Sequence, residues 1–224
     1  MNKAPVITVD GPSGSGKGTL SLQLADELGW HHLDSGALYR LLAFAALKNA
    51  VAPDDEAALL ALVDHLSDAY RLPTRDQPSI MLDGEDVGHL LRTEACGNAA
   101  SKIAALPAVR AALLAWQRRY QLPPGLVADG RDMGTVVFPA AGLKLFLTAR
   151  PTVRAERRYK QLKNMGKEVD LAELTRAVEA RDQRDSTRAA SPLKPAEDAL
   201  LIDNSDLDEA ETLAMVLEAV HGKY

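Results

Sequence analysis

The chain has a single cysteine, Cys96, among 224 residues, which excludes an intramolecular disulfide and a metal cluster built from cysteine thiolates. Aromatic residues are scarce at 4% and the formal net charge is −5, so no broad nucleic-acid footprint is predicted. No apolar run approaches the length of a membrane span, and the first residues lack an apolar signal region. These absences predict a soluble, cytoplasmic chain that partners neither membrane nor nucleic acid. Internal repeats and low-complexity segments are also missing. His31 and His32 are adjacent and diverge in a strand. Without ligand-spaced companions they read as packing or surface residues rather than metal ligands.

What is present starts at Gly11-Pro12-Ser13-Gly14-Ser15-Gly16-Lys17-Gly18-Thr19, directly after the apolar run Val6–Val9. A buried-strand signal before a glycine-rich loop and a helical pattern after it (Leu20, Leu24, Leu28) is the context of a phosphate-binding loop. The glycines let backbone N–H groups turn inward as a nest for phosphate oxygens, and the following helix adds its positive end. Lys17 supplies a mobile charge for the outer phosphates. Gly18 occupies the place where a magnesium-binding hydroxyl often stands, and Thr19 brings that hydroxyl one residue later. The Gly-Lys-Gly-Thr ending resembles nucleoside monophosphate kinases more than GTPases, and no Asn-Lys-x-Asp guanine reader occurs in the chain.

Apolar runs predict strands at Val6–Val9, Trp30–Leu33, Leu126–Ala128, Leu143–Leu147 and Leu200–Ile202. Helical periodicity predicts Leu20–Leu28, Ala37–Leu47, Glu56–Leu66, Val109–Tyr120, Val153–Leu162, Leu171–Arg184 and Asp208–Val220. Gly29 marks the stop of the first helix, and Asp170 with Glu173 resembles a capping box. Strands alternating with helices predict a three-layer α/β/α fold around a central parallel sheet of about five strands. Between Tyr70 and Val87 the rhythm changes: Pro73, Pro78 and the Asp83-Gly84 turn punctuate short β-like pieces, which predicts a small antiparallel sheet inserted between helices. Gly166 suits a hinge or lid turn. Of the 26 Lys and Arg residues, 11 lie between Arg150 and Arg188, which predicts a local anion-binding surface.

Two further segments point to a second phosphate-bearing substrate. Asp34-Ser35-Gly36-Ala37-Leu38-Tyr39-Arg40 follows a strand end and opens a helix, with Arg40 placed to grip a phosphate bidentately. Asp129-Gly130-Arg131-Asp132-Met133-Gly134-Thr135 closes another strand. There Asp129 suits a magnesium-water acceptor. Arg131 and Asp132 stand at the same rim with opposite charges, and mutual pairing is the simplest alternative to a substrate role.

These motifs, with Ala99-Ala100-Ser101-Lys102 through Arg110 and Arg181-Asp182-Gln183-Arg184-Asp185-Ser186-Thr187-Arg188, resemble the bacterial cytidylate kinases over essentially the whole chain. The resemblance implies one kinase domain over 1–224. Its core would comprise 1–35, 111–150 and 189–224, its monophosphate-binding region 36–110, and its lid with the following helix 151–188. It implies transfer of the γ-phosphoryl group of ATP to CMP or dCMP, with Mg2+. Nothing in the sequence demands a partner subunit, so a monomer is expected.

By the same resemblance, Ser101, Arg110 and Asp132 read cytosine. That assignment fits the base, since a carboxylate suits the N4 amino group and Arg and Ser donors suit N3 and O2. Tyr39, Arg181 and Asp185 meet the sugar, with Ser35 alongside, and Arg40, Arg131 and Arg188 hold the acceptor phosphate. Arg181, Asp185 and Arg188 fall at i, i+4 and i+7, one helix face. Lys17, Arg131, Arg188 and Arg157 are the implied catalytic set, with Arg157 and Arg158 of the lid closing over the triphosphate. Thr19 would hold magnesium directly or through water, with Asp129 as outer acceptor. The alternatives are a kinase for another small acceptor, such as UMP, AMP or shikimate, and a non-catalytic nucleotide-binding protein.

Overall fold

A computed structural model describes residues 3–73, 79–164 and 166–223. The chain begins with β1 (Val6–Asp10), α1 (Lys17–Leu28), β2 (His31–Asp34), α2 (Ser35–Lys48) and α3 (Glu56–Ala69). A hairpin, β3 (Met81–Leu82) and β4 (Glu85–Asp86), precedes α4 (Gly88–Leu91), α5 (Glu94–Ile103) and α6 (Pro107–Arg118). Then follow β5 (Leu126–Gly130), a π-helical turn over Met133–Val137, β6 (Leu143–Thr148), α7 (Pro151–Asn164), α8 (Leu171–Thr187), β7 (Leu200–Asp203) and α9 (Glu209–His221).

The five long strands form one sheet in the order β2-β5-β1-β6-β7, and every pairing is parallel. Parallel strands need crossovers, and the crossovers cover both faces with helices. Alternation along β1 shows the result: Val6 enters one apolar cluster with α2, α3, α5 and α6, while Ile7 and Val9 enter the other with α1 and α9. The expected three-layer fold is the one observed. Order reverses at β1, so the crevice beyond its C-terminal end is where an α/β sheet of this kind takes ligands.

Local signals acted as their chemistry dictates. Gly29 ends α1 in the left-handed region, with φ of 64°. The Asp170 side chain accepts from the Glu173 N–H at 2.8 Å. The reciprocal capping box lies instead at Asp208 and Glu211, at the start of α9. The inserted sheet is a two-stranded hairpin turned by Asp83 and Gly84, both at positive φ; Pro78 lies outside the described residues. No single helix among the described residues is long and apolar enough to cross a membrane.

Candidate active site

The glycine-rich loop leaves β1 and wraps the end of α1. Gly11 takes φ of 155°, and a Cβ there would lie 2.0 Å from the Leu147 carbonyl oxygen, so only glycine lets the loop pass this close to β6. Gly16 caps α1 at φ of 89°, leaving the first N–H groups of the helix without a side-chain cap. Lys17 folds back, its Nζ donating to the Pro12 carbonyl at 3.1 Å. Burial by the loop, with the neighbouring Arg131 guanidinium, pulls its ammonium down to about 7. Thr19 is exposed in the first turn of α1.

Strand ends deliver the carboxylates. Asp129 lies buried beside β1, in register with Val9, and its Oδ2 meets His32 Nε2 at 2.9 Å. Burial alone would lower the His32 pKa, but the Asp129 hydrogen bond and charge raise it overall. His32 is therefore a partner of the candidate magnesium-water acceptor, and not the plain packing residue that the sequence predicts. His31 turns away to the Pro123 carbonyl at 2.9 Å.

Asp10, at the end of β1, is the most consequential residue that motif reading missed. Its two oxygens accept the N–H groups of Met133 and Gly134, each at 2.8 Å. One buried carboxylate thus ties the phosphate loop's own strand to the loop that carries Arg131 and Asp132. Burial raises its pKa to about 6. The only sequence signal was an acidic residue closing an otherwise apolar run.

Arg131 and Asp132 do not pair with each other. Arg131 Nε donates to Asp185 Oδ2 on α8 at 2.8 Å, and Arg110 Nη2 on α6 donates to Asp132 Oδ2. The Arg110 guanidinium lies 5.8 Å from the Tyr39 ring centroid. Burial raises the Tyr39 hydroxyl to about 12, against the pull of Arg110 and Arg188. Burial and the Arg110 charge hold Arg188 below the usual guanidinium range, and its Nη2 is buried without a hydrogen-bond partner among the described residues. Tyr39, Arg110, Asp132, Asp185 and Arg188 are thus one electrostatic group, drawn from α2, α6, the β5 loop, α8 and its C-cap. Arg181 belongs to it through Asp185, whose carboxyl its charge helps to lower. Ser35 is buried at the start of α2, Ser101 is half-buried on α5, and Arg40 donates to the Leu91 carbonyl at 2.7 Å.

The arginines of α7 divide. Arg154 is buried and holds Asp182 at 2.5 and 3.0 Å and the Ser13 carbonyl at 3.0 Å, so α7, α8 and the phosphate loop meet on one guanidinium. Arg157 reaches the Ser15 and Asn204 carbonyls beside Gly16. Arg158 instead donates to Gln161 Oε1 and to the Arg92 carbonyl.

The family model described as cytidylate kinase matches residues 7–222. A cytidylate kinase of Aeromonas salmonicida (strain A449) is 55% identical over 214 residues, covering 96% of this chain and 93% of its own. The cytidylate kinase of Shewanella frigidimarina (strain NCIMB 400) is 54% identical over 222 residues, covering 99% and 97%. A solved structure of an uncharacterized protein from Eubacterium ventriosum ATCC 27560 superposes with a TM-score of 0.52 at 13% identity, over 98% of this chain and 99% of that one, a likeness of fold.

Proposed function

The chain belongs to the cytidylate kinase family, and from that premise we propose how its own side chains transfer the γ-phosphoryl group of ATP to CMP or dCMP. The observation that carries the reading is the Arg110–Asp132 pair. It sets a guanidinium donor and a carboxylate acceptor side by side, 22 residues apart in sequence, with the Tyr39 ring centroid 5.8 Å from the guanidinium. Cytosine presents a donor at N4 beside acceptors at N3 and O2, so the pair matches its edge, with Ser101 as a further donor. Uracil would set a carbonyl oxygen against Asp132, leaving buried groups unpaired.

ATP lies with its phosphates in the Gly11–Thr19 loop, the outer ones on Lys17. The acceptor phosphate is held by Arg40, Arg131 and Arg188, and the buried Nη2 of Arg188, without a hydrogen-bond partner among the described residues, suits an anionic oxygen. Tyr39, Arg181 and Asp185 face the sugar, near Ser35. The nucleophile is an oxygen of the acceptor's own phosphate, already ionised near neutral pH, so no protein base is required. Lys17 and Arg157 stabilise charge on the transferring group and the leaving oxygens, while Arg131 and Arg188 align the attacking oxygen.

The oxygen donors fit magnesium. Thr19 and Asp129 offer hard oxygen donors, and magnesium characteristically keeps most of its waters and its substrate oxygens. Bound with ATP, magnesium supplies charge neutralisation at the phosphates; Thr19 would hold it, with Asp129 accepting from its water.

Residues 36–110 and 151–188 form the parts that close on the core, excluding water from the transfer. Arg158, tied here to Arg92, would join the triphosphate through that closure. ADP formation from ATP, followed with and without CMP, tests the reading. Turnover should depend on the acceptor, and rapid hydrolysis without it would count against closure.

A further inference from the structure

Asn204 follows the edge strand β7 and is 5% exposed, an unusual place for a polar amide unless both its ends are used. Its backbone N–H donates to the Thr148 carbonyl at 3.0 Å, which fixes the residue against the end of β6. Its side chain divides between two elements: Nδ2 donates to the Ser15 carbonyl of the phosphate loop at 3.0 Å, and Oδ1 accepts from Arg157 Nη1 of α7 at 3.1 Å. Its own carbonyl accepts from Arg157 Nη2 at 2.7 Å. A carbonyl only accepts and a guanidinium only donates, so the amide orientation is fixed by its partners. A Cβ on Gly16 would lie 3.6 Å from Asn204 Nδ2 and 4.0 Å from Arg157 Nη1, so both groups rest against the residue that caps α1.

We propose that Asn204 is the positioning residue for Arg157, presetting that guanidinium beside the phosphate loop before nucleotide arrives. A long arginine side chain loses much rotamer freedom when it is fixed. Two acceptors on one residue, matched to the guanidinium fork, meet that cost in the free protein and not at binding. The strand end, rather than lid closure, then sets the donor-side arginine, while Arg158 remains the one moved by closure. The inference rests on the reading that Arg157 contacts the triphosphate.

The test is a double-substitution cycle of Arg157→Ala and Asn204→Ala, reading the ATP KM and kcat at saturating CMP, the CMP KM, and ADP affinity by calorimetry. Asn204→Ala should weaken ADP and raise the ATP KM about tenfold, the scale of a lost charge-assisted hydrogen bond. The CMP KM should stay within about twofold, and adding Asn204→Ala to Arg157→Ala should cost less than about twofold more. A silent Asn204→Ala, or effects that multiply, beside an impaired Arg157→Ala overturns the positioning role alone. A silent Arg157→Ala overturns the triphosphate reading, and the inference with it. Should Asn204→Ala fail to fold, the unsubstituted protein decides: the Asn204 side-chain amide resonances should shift with ADP and hold with CMP. Amide resonances unmoved by ADP would refute the proposal.

Discussion

Arg131 Nε donates to Asp185 Oδ2 at 2.8 Å, joining the loop after β5 to the last turn of α8 across 54 residues of sequence. Burial works to raise the Asp185 pKa, but the charges of Arg131, Arg181 and Arg188 override it and hold the carboxyl below its usual value. A depressed pKa means stability that is present above the unfolded value and lost as pH falls through the folded one. Asp185→Ala leaves Arg131 half-buried without its partner. It should lower unfolding stability by about 3 kcal/mol in a denaturant titration, and the loss should shrink toward low pH. The CMP KM should rise with it, because Arg131, proposed to hold the acceptor phosphate, loses its carboxylate anchor.

Lys17 sits at about 7 in the free protein because burial and Arg131 disfavour its charge. Phosphate oxygens restore that charge, so ADP binding at pH 8 should take up close to one proton. Calorimetry in buffers of different ionisation enthalpy measures that uptake, and ADP affinity should fall as pH rises above 7. Lys17→Met should abolish the uptake and cut turnover by about a thousandfold for every acceptor. The unfolded lysine, near 10.5, binds more protons than the folded one between about pH 7 and that value. The stability cost of Lys17 is therefore felt fully below 7 and relieved as pH rises.

Asp10 accepts two buried backbone N–H groups, and Asp10→Ala would orphan both. A loss of about 3 kcal/mol is expected from denaturant unfolding, together with a raised CMP KM, since Met133 and Gly134 anchor the Arg131-Asp132 loop. The raised pKa of about 6 sets the sign of the pH effect. The folded state holds this proton more tightly, so the associated stability is present below about pH 4 and is lost as pH rises through 6. Asp10→Asn should flatten that segment of the stability curve.

Gly11→Ala puts a methyl group 2.0 Å from the Leu147 carbonyl oxygen, at a backbone φ that L side chains rarely adopt. Neither β1 nor β6 can yield, being adjacent strands of the sheet. ATP and ADP binding should be lost in calorimetry, while Gly18→Ala, with nothing within 4 Å of its Cβ, should retain it.

The sheet was legible because its strands are short apolar runs between helix-length periodic segments, and all five lie where such runs stand. Helix α5 was not legible. Gly97 and Asn98 weaken its propensity, and its buried residues Cys96, Ala100 and Ile103 include only one large apolar side chain. Tertiary packing against α2 completes it, with Thr93 capping its start. The motif residues could be found, and the family resemblance grouped Arg110 with Asp132, whose hydrogen bond the structure shows. Other partners could not: Asp129 meets His32 and Arg157 meets Asn204 across sequence gaps that no local pattern spans. Trp116 and Cys96 are packing residues, as their position outside the motifs indicates.

If Asp132 and Arg110 read the acceptor base as proposed, kcat/KM for CMP and UMP in the native protein and in Asp132→Ala will reveal it. The native protein should strongly prefer CMP. Asp132→Ala should lower CMP efficiency by about a hundredfold and UMP efficiency far less, so that the preference collapses. Equal losses for both acceptors would contradict the base-reading assignment, even with the kinase activity intact.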